Sequence, residues 1–175
     1  MTTVPLGEEL KVLARTSLVL LGGYVLQLGL FDDLRLFSVH PEVLLAIGVG
    51  TAVAWGAERG AIVGFAAGLL ADLVLSGRFG VTGLAYGIAC YAVGLVSEGL
   101  ARRSRVMDAL LMAVGGALGT ITYAVVAALF GAGTLGEDDL LVIIAMVALW
   151  NFVLSPIVVP VCRWAGRHPE IRPAR

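Results

Sequence analysis

Apolar residues run along this chain in long stretches separated by short polar punctuation. They fit six transmembrane helices at about 12–30, 42–57, 60–77, 81–101, 107–131 and 140–163. Most of these runs can cross roughly 30 Å of hydrocarbon at 1.5 Å per residue. The second run is short and is joined to the third by the tight Glu58-Arg59-Gly60 turn, so those two helices are expected to be antiparallel neighbours. Within the third run, Gly60, Gly64, Gly68 and Asp72 recur at a spacing of four, which puts bare backbone and then a carboxylate on one helix face. Pro156 and Pro160 fall inside the sixth run, which should bend or break there.

Composition agrees with a membrane solvent. Of 175 residues 59% are hydrophobic and 14% charged, against roughly 25% charged in soluble domains, so the chain lacks the charge to cover a water-facing surface. The expected architecture is all-α, a single integral membrane domain over 1–175. Glu8, Glu9 and Arg15 interrupt the start, and no clean small-residue cleavage site follows, so the first run is expected to be a retained span rather than a signal peptide. Cys90 and Cys162 sit at different depths and read as small buried hydrophobes, with no support for a disulfide between them.

Charge sets the orientation. Lys11, Arg15, Arg59, Arg102, Arg103, Arg105, Arg163, Arg167, Arg172 and Arg175 fall on the side shared by both termini, whereas Arg35 and Arg78 fall on the other. This bias puts both termini in the cytoplasm. Loop 31–41 is the longest outer connection, with Phe31, Leu34 and Phe37 able to lie along the bilayer surface. Glu137, Asp138 and Asp139 meet the positive end of the sixth helix. The Arg102, Arg103 and Arg105 cluster and the basic tail are topology determinants or a seat for anionic lipid headgroups. Nucleic acid is not indicated.

Depth decides which polar groups can meet. Asp72 lies about 18 Å along its helix from Gly60, in the outer third. Gln27, Thr82, Tyr86, Tyr123 and Arg78 are within its level, while Asn151 lies nearer the midplane. An unpaired intramembrane carboxylate is costly, so Asp72 either anchors the structure or lines a polar cavity or partner site. Arg15 and Glu98 are placed to pair at the inner end. The glycine faces, with Gly83, Gly87, Gly115 and Gly119, serve packing inside the monomer or a seam to a homodimer or partner. Enzyme signatures are missing: there is no HExxH, no G-x-S-x-G and no Walker-type loop, and His40 and His168 fall outside the spans. No metal or cofactor is expected.

From Pro41 to Gly94 the order of features is distinctive: an apolar span, Glu58-Arg59-Gly60, Gly64-Phe65, Gly68-Leu69-Leu70, Asp72, Gly80, Ala85-Tyr86 and Tyr91. This segment resembles the core of the MreD family of rod shape-determining membrane proteins. The resemblance implies an S-component-like six-helix bundle in the bacterial cytoplasmic membrane. It also implies a non-enzymatic subunit of the elongation machinery that associates with the scaffold MreC, and through it with MreB and a RodA/penicillin-binding-protein synthase. The alternative is an S-component-like subunit binding a vitamin or metabolite for transport, for which the chain offers few ligand-binding aromatic or polar groups. Gly64, Gly68 and Asp72 carry over from the family pattern by position.

A reporter active only in the periplasm, fused after Arg175, should be silent. Activity there would overturn the topology.

Overall fold

The computed structural model describes residues 6–29, 42–73, 79–100, 104–131 and 139–167. These residues form six helices: α1 (Leu6–Gly29), α2 (Val43–Trp55), α3 (Ala57–Asp72), α4 (Val81–Glu98), α5 (Arg105–Leu129) and α6 (Leu140–Ala165). Among the described residues there is no strand. Helices α1, α4, α5 and α6 are long and apolar enough to cross a membrane, while α2 is a shorter apolar helix.

Helix α2 touches all five others, which contact one another in the order α3, α4, α5, α6, α1 and close, thinly, between α1 and α3. The fold is therefore a ring of five helices around one. Every residue of α2 from Val43 to Val53 is buried. In lipid no hydrophobic force draws apolar helices together, so close packing must do it, and small residues permit that approach. Gly48 of α2 faces Gly64 of α3, and a β-carbon added at Gly48 would sit 3.0 Å from the Gly64 Cα. On the opposite side, Gly115 and Gly119 of α5 receive Val49 and Leu45 of α2.

The α2–α3 junction differs from the sequence expectation. The reversal is made by Gly56 alone, at φ 91° and ψ −173°, a region open essentially only to glycine. Glu58, Arg59 and Gly60 lie instead in the first turns of α3, where Glu58 suits the positive end of the helix. Helix α3 accordingly starts at Ala57 and ends at Asp72, short of the expected 77. Helix α6 runs unbroken through Pro156 and Pro160. Ser155, Val158, Val159 and Cys162 are buried beside the two prolines and pack this stretch of α6 against the bundle. Cys90 and Cys162 are free and buried.

Helix α1 is the most loosely held, with only 11% of its apolar window buried. Leu13, Leu18, Leu21 and Val25 face outward. The start of α1 and the end of α6 share one end of the bundle, where Arg15 lies 5.3 Å from the Trp164 ring centroid and reaches the Arg167 carbonyl at 3.4 Å. The expectation of an Arg15–Glu98 pair is thus not met, because Glu98 serves another helix.

The tightest glycine contacts should govern stability. At Gly68 a β-carbon would lie 2.5 Å from the Cα of Gly83, so Gly68→Ala should lower stability by about 1–3 kcal/mol in thermal unfolding of the detergent-solubilised protein. Gly22 on α1 has nothing within 4 Å, and Gly22→Ala should leave the transition unchanged or slightly raised.

Candidate functional site

The most extensive helix pair is the α3–α4 hairpin, and its two ends are built alike. Helix α4 begins at an N-cap glycine, Gly80, in the left-handed region at φ 95°. Glycine has no side chain with which to cap, yet the first amides of a helix need acceptors. Asp72, the last residue of α3, supplies them. Its carboxylate accepts from the N–H of Gly80 at 2.8 Å, Thr82 at 3.3 Å and Gly83 at 3.4 Å. Helix α3 begins in the same way at an N-cap glycine, Gly56. Glu98, the last residue of α4, accepts from the Ala57 N–H at 2.8 Å. Each helix thus ends in the carboxylate that caps its neighbour's start, where the positive dipole end favours a negative charge.

Between these caps runs the glycine seam. A β-carbon on Gly60 would lie 2.5 Å from Ala52 of α2, and one on Gly64 would lie 2.6 Å from the Cys90 sulfur of α4. Gly94 of α4 meets Ala57 at the other end. Gly60, Gly64 and Gly68 are therefore enclosed by α2 and α4 and offer no open face to a partner chain.

The other polar groups expected at the level of Asp72 form a second cluster at the start of α2. Gln27 of α1 accepts from the Leu44 N–H at 3.1 Å. Tyr86 of α4 donates to Glu42, at the N-cap of α2, at 2.8 Å. At the opposite end of α2, Ser97 of α4 donates to the Val53 carbonyl at 3.1 Å. Asn151 is apart from both clusters. It is buried against Gly116 of α5, and its amide donates to the Val147 carbonyl at 2.9 Å. Asn151 Oδ1 has no hydrogen-bond partner among the described residues. Arg78, Arg102, Arg103, His40, His168 and loop 31–41 lie outside the described residues, as do Glu137 and Asp138.

Sequence reasoning missed Glu42 as an anchoring group, gave Glu98 to Arg15 rather than to the start of α3, and missed the ion pair between Asp108 of α5 and Arg163 of α6, at 2.7 Å. Among the described residues no group of three or more metal-binding side chains comes together.

The lipid-facing side of the hairpin carries a shallow apolar groove of about 470 Å³. Ala61, Ile62 and Phe65 of α3 form one wall, and Leu84, Ile88 and Tyr91 of α4 the other. Gly87 lies between them. A family model described as rod shape-determining protein MreD matches residues 9–164, a span that includes this hairpin, its caps and its seam. The chain belongs to the MreD family. It is a rod shape-determining membrane protein with several membrane-crossing helices. No curated protein and no solved structure matches it. The MreD-family segment expected from the sequence, Pro41 to Gly94, is the part in which α3 and α4 lock together.

Asp72→Ala and Glu98→Ala should each lower thermal stability, by about 1–3 kcal/mol, since each leaves helix-start amides without their acceptor. The two caps sit about 24 Å apart along the 16-residue α3, so the double variant should lose the sum to within about 0.5 kcal/mol. A loss well short of the sum would contradict independent caps.

Proposed function

We propose that this MreD-family chain is a non-enzymatic subunit of the bacterial elongation machinery that seats the membrane helix of an MreC-like scaffold in the α3–α4 groove. Through that partner it bears on MreB, on the RodA/penicillin-binding-protein synthase and hence on where peptidoglycan is made. It sits in the cytoplasmic membrane with all six helices embedded and, by the positive-inside rule, with both termini inside.

The observation that carries this reading is the groove itself. It is lined by apolar side chains and floored by Gly87, where a β-carbon would meet Phe65 at an ordinary 3.4 Å. A glycine floor lets a second helix bring its backbone close, which is how helices associate in lipid. The hairpin beneath is rigid, being capped at both ends, and a rigid face loses little on binding. A small-molecule site of S-component type has less support. Gln27, Asp72 and Tyr86, the polar groups that would contact such a ligand, are engaged in holding helix ends.

Replacing Gly87 by Leu would fill the floor from the lipid side. Gly87→Leu should leave thermal unfolding almost unchanged while cutting recovery of the MreC-like partner severalfold in co-purification. Cells carrying only this variant should round up or widen. Cysteines at Ile62 and Ile88 should cross-link to the partner's membrane segment, and one at Leu141 on α6 should not. Normal rods with full partner recovery would overturn the groove as the seat, and normal rods after deletion of the protein would overturn the function.

A further inference from the structure

A second cavity lies at the arginine-rich end of the bundle, between the start of α5 and the end of α6, with a volume of about 290 Å³. That is on the order of ten water molecules at their share of liquid volume. Arg105 and Asp108 line it from α5, and Ser155, Pro156, Pro160 and Arg163 line it from α6. Their spacing explains the convergence. Residues 105 and 108 are one turn apart on α5, and 155, 156, 160 and 163 follow one stripe of α6.

Burial grades the cavity from mouth to floor. Arg105 is exposed and the Arg163 side chain is 42% exposed, whereas Asp108 and Ser155 are buried. The mouth is therefore cationic. Arg163 meets Asp108 through one nitrogen, and a guanidinium has five N–H donors in all, so the others remain to face a ligand. Arg105 is the first residue of α5, where the helix's own positive end adds to its charge. With one carboxylate against two guanidiniums the lining carries a net single positive charge. Pro156 and Pro160 are exposed and lie further along α6 from the arginines, toward the bilayer interior, where acyl chains would run.

Two guanidiniums with N–H donors to spare suit a phosphate. The cavity opens where helices end, which is the headgroup level of a bilayer. We propose that it is a binding site for the headgroup of an anionic phospholipid, with the phosphate between Arg105 and Arg163. The site clamps α5 to α6 through the lipid, and it holds whether or not the α3–α4 groove carries a partner.

The test uses the full chain in neutral detergent, with phosphatidylglycerol and phosphatidylcholine as probes and bound lipid read by native mass spectrometry. Phosphatidylglycerol should be retained in preference to phosphatidylcholine. Arg105→Gln removes an exposed rim charge without touching the Asp108–Arg163 pair and should weaken retention about fivefold. Arg59→Gln lies at the same end, with its guanidinium near the Trp55 ring and outside the cavity, and should leave retention unchanged. Equal retention of the two lipids, or an equal loss in both variants, would overturn the site in favour of a merely basic rim. Displacement of the lipid by millimolar glycerol phosphate would keep the phosphate chemistry and overturn the lipid as its source.

Discussion

A helix that ends inside hydrocarbon leaves backbone amides and carbonyls with no water to meet them, and each unmet group costs several kcal/mol. This chain confronts that constraint at its centre. Helices α2 and α3 have 13 and 16 residues, about 20 and 24 Å, and are joined by one glycine. Their ends must be satisfied by protein. Gln27, Ser97 and Glu98 do this from neighbouring helices, while Asp72 at the end of α3 caps α4 in turn, and the arrangement of the bundle follows. Helix α1 is needed at the start of α2, and α4 must run antiparallel to α3 with its own last residue beside Gly56.

The same constraint separates support from function on the α3–α4 hairpin. Its inner face, with Gly60, Gly64, Gly68 and both carboxylates, is fully engaged within the monomer. Substitutions there should damage the whole molecule rather than one interaction. Only the outer face, around Gly87, is free to vary in what it touches without disturbing the helix ends. A partner surface on a rigid support has this form: the groove is shallow and apolar, and the polar groups that define its shape lie behind it.

Much of the fold was legible in the sequence because hydrophobic length reports helices directly. Six membrane-spanning helices were expected; the described residues form six helices with edges displaced by a few residues, four of them long and apolar enough to cross a membrane. The reversal at Gly56 was misread because Glu58 and Arg59 look like a loop. One glycine at positive φ does the work, and polarity carries no signal of it. The roles of Asp72 and Glu98 had a sign that went unread. Each sits at the C-terminal end of its own helix, where a negative charge is unfavourable, so each had to serve a neighbour's N-terminus. Gln27 and Tyr86 meet the start of α2 and Asp72 the start of α4, and depth along the helices does not tell which helix end each one meets. The Asp108–Arg163 pair joins residues 55 positions apart, and no local pattern announces it.

The shortness of α3 has a mechanical consequence for the surrounding membrane. Helices α5 and α6 have 25 and 26 residues, about 38 Å, and span a full bilayer with room to tilt. Helix α3, in the outer ring between α4 and α1, is about 24 Å long. A bilayer meets a helix shorter than its hydrocarbon by thinning around it or by bringing a second helix alongside, at a cost that grows with each Å of mismatch. The flank that carries α3, the shortest helix of the ring, is where a bilayer of ordinary thickness is hardest to match, independently of any side-chain contact.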